Sequence, residues 1–238
     1  MLYLIGLGLS EKGITLEGLE ALKKCKKVYL ESYTVEFPYL LSKLEKVIGK
    51  KIIKLDREKV ENNGIIEEAK KQNVCLLVYG SPLFATTHIS LIMEAEKKKV
   101  DLKIIYSASV FDAISETGLQ LYKFGRVTSL TKWGKNFTPD SFLDIVLQNK
   151  SIGAHSLILV DIGLLFNDAI DELIISSEKR NMKIEKIAVC SDLGTEKSKI
   201  FYGTIKDLGK KNVSAPYCFI IPGEMHFLEE EALKRFER

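Results

Sequence analysis

Five short apolar runs in the N-terminal half most constrain the fold of this 238-residue chain. They read "LYLIG" (2–6), "KVYLES" (27–32), "KIIKL" (51–55), "VCLLVY" (74–79) and "LKIIYS" (102–107). Each has the length of a strand, and most lack the in-out alternation of a sheet with one wet face. Helical segments lie between them. Thr15 is placed to N-cap a helix running through Cys25. Pro38 marks a helix start, and Gly49 its stop. Further helices are expected over 64–72 and from His88 to Lys99, the latter with Ile89, Ile92, Met93 and Ala95 as its inner face. Strand and helix alternating with short connections predict a mostly parallel sheet covered on both sides.

The second half reads differently. Segment 109–125 gives a helix and an irregular connection. "RVTSL" (126–130) is a strand, and the polar stretch "TKWGKNFTPD" (131–140) holds the only Trp and leads into a helix at Pro139. "HSLILVDI" (155–162) is a strand, followed by a helix over 167–179. The strands "KIAVCSD" (186–192), "KIFYGTI" (199–205) and "YCFIIPG" (217–223) then come close together, and a helix runs from Met225. Closely spaced strands with one long helix predict a mixed sheet. The fold class is therefore two α/β domains, 1–108 with a mostly parallel sheet and 109–238 with a mixed one. No linker rich in Pro, Gly or Ser separates them.

Composition narrows the function classes. With 46% hydrophobic and 28% charged residues the chain can bury a core. A net charge of +3, with lysines interleaved among glutamates, is too even for a dedicated nucleic-acid binder. No apolar run has the length of a membrane span, and the N-terminus lacks the basic region of a signal peptide. Cys25, Cys75, Cys190 and Cys218 lack CxxC spacing, so neither a metal site nor a disulfide framework is indicated, and the cytoplasm is expected. His88, His155 and His226 have no metal-ligand spacing.

Three motifs sit where strands stop. "IGLGLS" places Gly6 and Gly8 after the first strand, but Glu11 stands where a dinucleotide fingerprint needs its third Gly. Glu31, ending the second strand, is positioned like a ribose-binding acid. "GSPLFATTH" (80–88) turns sharply after the fourth strand, with Thr86 or Thr87 available to cap the next helix. "SASVFDAISETGLQLYKFG" (107–125) follows the fifth, with Ser109 at a helix start. Each has a plain structural reading, as a tight turn, a capped helix and a junction. Together they line the edge of an α/β sheet where ligands bind.

These segments, with "PDSFLDIV", "HSLILVDI" and "IIPGEMHFLE", occur in an order that spans nearly the whole chain and resembles the diphthine synthases. Those enzymes are a branch of the tetrapyrrole-methylase-like family of S-adenosylmethionine enzymes, and "GLQLYKFG" and "ATTH" carry the likeness to that branch. The resemblance implies two α/β domains with a cofactor cleft between them, and a homodimer. It implies methyl transfer from S-adenosylmethionine, leaving S-adenosylhomocysteine, to the amine of an aminocarboxypropyl-modified histidine of translation elongation factor 2. Neither a nucleic acid nor a membrane is an implied partner. The implied cofactor contacts are Leu9, Ser81, Phe84, Ser109, Val110, Val160, Leu193 and Tyr217. No metal and no catalytic residue is implied.

The chain departs from the family pattern in three places. Ser81 stands where the family has Asp, Asp192 where it has Arg, and the "TKWGKNFT" loop keeps Trp133 but not the usual order. The alternatives are a methylase of a small heterocyclic substrate, a degenerate homologue that binds cofactor without turnover, and, on Gly6, Gly8 and Glu31, a nicotinamide dehydrogenase.

Overall fold

The computed structural model describes residues 1–62 and 64–237. They divide into two compact units, Met1–Val110 and Phe111–Arg238.

The first unit holds strands β1 (Leu2–Gly6), β2 (Lys27–Glu31), β3 (Ile53–Leu55), β4 (Val74–Val78) and β5 (Leu102–Ile105). Its helices are α1 (Leu16–Lys24), α2 (Leu41–Ile48), α3 (Arg57–Glu61), α4 (Gly64–Ala69) and α5 (Ile89–Lys97). All strand pairs are parallel, in the order β3-β2-β4-β1-β5. β4 is buried along its whole length, which is why its sequence is uniformly apolar.

Alternation in β1 and β4 divides two cores. Leu2, Leu4, Leu76 and Val78 pack with Ile66, Leu91 and Ala95, the side of α4 and α5. Tyr3, Ile5, Cys75 and Leu77 pack with Ala21, Leu22 and Leu44, the side of α1 and α2. The chain leaving β1 therefore crosses one face to reach β2, and the chain leaving β4 crosses the other to reach β5. Adjacent strands whose connections depart to opposite faces leave a crevice at their carboxyl ends.

The local signals mostly act as read. The Thr15 hydroxyl accepts from Gly18 N at 3.1 Å, and Gly49 ends α2 in the left-handed conformation. Three expectations are corrected. α2 begins at Leu41 rather than at Pro38, and Leu40 caps it without a side-chain bond. α3, capped by Asp56 through Lys59 N, is an additional turn of helix. The inner face of α5 is built on Leu91 and Ala95, whereas Ile89 and Met93 are 57% and 65% exposed.

The second unit holds β6 (Thr128–Leu130), β7 (Ser156–Val160), β8 (Ile187–Ser191), β9 (Lys199–Gly203) and β10 (Tyr217–Ile221), in the order β6-β7-β10-β8-β9. β6 and β7 are parallel and the other pairs antiparallel, a mixed sheet. A short helix, α6 (Val110–Ala113), spans the boundary between the units. Within the second unit α7 (Phe142–Ser151) and α8 (Phe166–Lys179) supply Phe142, Val146, Phe166, Ile170 and Leu173 to its core, around the fully buried Phe219. α9 (Ile205–Leu208) was not foreseen, and α10 (Phe227–Lys234) starts on His226, which caps it in a reciprocal box with Glu229. All four cysteines are buried free thiols.

Candidate active site

In the first unit the site is built where β1 and β4 end side by side. Leu7 N donates to Val78 O at 2.8 Å, extending the ladder past the strand. Gly8 and Gly80 then exchange both backbone bonds, at 3.2 and 2.9 Å, which ties the two loops together. Two glycines are required here. A Cβ on Gly6 would stand 2.6 Å from Gly80 O, so only Gly lets the loops approach. Gly80 has φ +70°, a conformation other residues rarely adopt.

The turn after Gly80 is organised around the Pro82 carbonyl. The Pro82 carbonyl receives the Thr86 hydroxyl at 3.0 Å and faces His88 Nδ1 at 3.0 Å. Phe84 N also donates back to Ser81 O at 3.3 Å. Thr86 therefore holds the turn instead of capping the next helix. Neither Thr86 nor Thr87 is the N-cap of α5, a position taken by His88. Leu9 is buried beside this turn, and its carbonyl accepts the Tyr79 hydroxyl at 3.2 Å. After β5 the Ser107 hydroxyl donates to Gly13 O at 2.9 Å, drawing that strand end to the first loop. Ser109 is buried, and its Cα lies 3.6 Å from where a Gly80 Cβ would be. Leu9, Ser81, Phe84 and Ser109 thus lie on the loops that leave the carboxyl ends of β1, β4 and β5, and Val110 opens α6 directly after the last of them.

Glu31 does not have the role a dehydrogenase would need. Its carboxylate accepts from Tyr33 N (3.1 Å), Thr34 N (2.9 Å) and the Thr34 hydroxyl (2.7 Å), and it is 1% exposed. It closes its own turn. His88 Nε2 stands 3.9 Å from it, beyond hydrogen-bond reach.

In the second unit Val160 ends β7, Tyr217 begins the antiparallel β10, and Leu193 follows β8. Strand polarity puts all three at one end of that sheet. Tyr217 is buried and donates its hydroxyl to Leu164 O at 2.9 Å; Leu193 is buried and Val160 half-buried. Asp192 is sequestered beside them. Its carboxylate accepts the Ser191 and Ser214 hydroxyls, and its N–H donates to Pro216 O at 2.9 Å. It is a turn residue there, with φ +51°.

The "GLQLYKFG" segment has a structural task that sequence reasoning did not reveal. Gln120 N (2.9 Å) and Lys123 Nζ (2.5 Å) bind the buried carboxylate of Glu229, which also accepts His226 N at 2.7 Å. His155 completes this network. Gly223 N donates to its Nδ1 at 2.9 Å, so the ring proton lies on Nε2 and is donated to Glu229 Oε1 at 3.1 Å. Both ring nitrogens are satisfied in the neutral form, and burial accordingly lowers the pKa of His155. The partners are scattered over more than a hundred residues, and no local spacing signals them.

Residues 1–209 match the family described as Tetrapyrrole (Corrin/Porphyrin) Methylases. The diphthine synthase of Methanococcus maripaludis (strain C6 / ATCC BAA-1332) is 41% identical, with 98% of each chain covered. The diphthine methyl ester synthase of Schizosaccharomyces pombe is 36% identical over 99% of this chain and 94% of its own. A crystal structure of diphthine synthase superposes with a TM-score of 0.89 at 30% identity, covering 99% of this chain and 95% of that one.

Proposed function

The chain belongs to the tetrapyrrole methylase family and, within it, to the diphthine synthases, and from that premise we propose that it methylates the aminocarboxypropyl-modified histidine of translation elongation factor 2, with S-adenosylmethionine as donor. It is a methyltransferase of the diphthamide route. The acceptor on this reading is the amine of the modified histidine.

The observation that carries the donor assignment is the joined pair of loops at Gly8 and Gly80, on the crevice edge of a parallel sheet. The residues we assign to the cofactor there are Leu9, Ser81, Phe84, Ser109 and Val110, and in the second unit Val160, Leu193 and Tyr217. Their chemistry fits the group, since six apolar or aromatic side chains suit an adenine and a thioether and two hydroxyls suit a few polar fixes. When bound, S-adenosylmethionine supplies an electrophilic methyl on a sulfonium. The protein's own contribution is alignment and exclusion of water, by loops that the Gly8–Gly80 pair and the Pro82 carbonyl hold in place. The acceptor amine must be neutral to attack, and a site of low polarity favours that form.

The same reading includes a homodimer working in the cytoplasm. Among the described residues, no helix is long and apolar enough to cross a membrane. Calorimetric titration with S-adenosylhomocysteine tests the donor assignment. Saturable binding near one site per chain is the expected result, and no binding at high micromolar ligand would refute it.

A further inference from the structure

One face of α8 carries Asp168, Asp171, Glu172 and Ile175, at the spacing that places side chains on a common helical stripe. With Lys132, Trp133 and Leu164 they line a pocket of about 280 Å³ in the second unit. That is at or below the small end of ordinary small-molecule sites and suits a single long side chain.

Glu172 gives the pocket its chemistry. It is 6% exposed, and its Oε1 accepts the Trp133 backbone N–H at 2.9 Å. Its Oε2 is buried and has no hydrogen-bond partner among the described residues. One turn further on, the buried Ser176 hydroxyl is in the same condition. A buried oxygen left unbonded costs roughly 1–3 kcal/mol, and native folds rarely keep one without a use. Burial raises the Glu172 pKa; the Trp133 N–H opposes this, Asp168 adds to it, Lys132 opposes and Asp161 adds.

The rest of the lining indicates what that oxygen is for. Asp168 and Asp171 are exposed at the pocket, so three carboxylates face one lysine. That lysine is already engaged, with Lys132 Nζ donating to Gly163 O at 3.0 Å. The Trp133 indole N–H donates to Pro139 O at 3.2 Å, which leaves the aromatic ring as its contribution to the pocket. Half-exposed Ile175 offers an apolar wall for an aliphatic stem. Carboxylates beside an indole are a setting for an organic cation. No group of three His, Cys, Asp or Glu among the described residues is arranged to hold a metal ion, which sets a divalent cation aside.

We propose that this pocket receives the ammonium or guanidinium group of a lysine or arginine side chain on the protein substrate, with the Glu172 carboxylate as its partner and the Trp133 ring as its wall. The proposal rests on the reading that the substrate is a protein. It concerns recognition of that protein at a place other than the modified histidine.

Trp133 is the only tryptophan, so its fluorescence reports on this pocket directly. The test titrates the full-length protein with N-acetyl-lysine methylamide and N-acetyl-arginine methylamide, using N-acetyl-norleucine methylamide as the uncharged control. A saturable change with a cationic probe, absent with norleucine and weakened about tenfold or more in Glu172→Gln, is expected. Binding should tighten as the pH rises from acid to neutral and Glu172 ionises. The stronger probe distinguishes lysine from arginine. Equal responses to norleucine, or an unchanged response in Glu172→Gln, would overturn the proposal. Steady-state methylation of modified elongation factor 2 gives the second measurement. Glu172→Gln should raise KM several-fold with little change in kcat and with S-adenosylhomocysteine affinity intact; an unchanged KM would overturn the link to the substrate. If the unaltered protein does not methylate elongation factor 2 at all, the functional reading fails while the fluorescence result still decides whether the pocket binds a cation.

Discussion

At the scale of single residues, Glu229 shows how a buried charge is held. Desolvation pushes its pKa up, but the Gln120 N–H, Lys123, the His226 N–H and His155 outweigh that and bring it down to about 2. Because the folded value lies below the unfolded one, the stabilisation is present above about pH 4.5 and is lost as the pH falls toward 2. A difference of this size corresponds to roughly 3 kcal/mol. Glu229→Gln should therefore lower stability at neutral pH by about 3 kcal/mol and flatten the acid limb of a denaturation-versus-pH curve; an unaltered acid limb would exclude this carboxylate as its source. Ser81 offers the opposite kind of test, since the family resemblance leads to the expectation of an acid at that position. If the turn at Gly80 faces the cofactor, Ser81→Asp adds a charge-assisted contact of about 1.5–3 kcal/mol and tightens S-adenosylhomocysteine roughly tenfold to a hundredfold by calorimetry. Unchanged affinity would mean that this turn does not meet the ligand's charged part.

At the scale of elements, α5 shows where periodicity misleads. Five of its nine residues are apolar or alanine, so more than one stripe satisfies a helical repeat. The face that wins, Leu91 with Ala95, is set by the β1 and β4 side chains beneath it, information that lies far along the chain. Leu91→Ala should cost about 2–5 kcal/mol in denaturant unfolding. Met93→Lys should change stability by less than about 0.5 kcal/mol, and a large loss there would return Met93 to the core. α1 was easier to read because Thr15 and the residues around Cys25 mark both of its ends locally. The start of α2 is less legible because Pro38 permits a helix start without compelling one, and the chain runs three residues further before it coils. The threonines before α5 are ambiguous in sequence for a similar reason. A hydroxyl near a helix start can cap it or bond a turn, and the Pro82 carbonyl takes Thr86.

At the scale of the whole molecule, the parallel and mixed sheets were legible because burial writes itself into strand composition. β4 and β1 are covered on both faces and read as continuous apolar runs. The turns that end these strands are also legible, since glycines and hydroxyls cluster there. What the sequence could not disclose is how those groups are used. The mutual bonds of Gly8 and Gly80, the sequestering of Asp192 by Ser214 and the meeting of Trp133 with Glu172 all join residues that only tertiary folding brings together. Methyl transfer to a modified histidine on a protein adds a defined mass, which intact-mass analysis reads. Elongation factor 2 carrying the aminocarboxypropyl histidine is incubated with the purified protein and S-adenosylmethionine. A gain of one or more methyl groups located at that histidine is expected, and none on factor lacking the aminocarboxypropyl group. An unchanged mass, with S-adenosylhomocysteine bound normally by the same preparation, would contradict it and leave a cofactor-binding protein with another substrate or none.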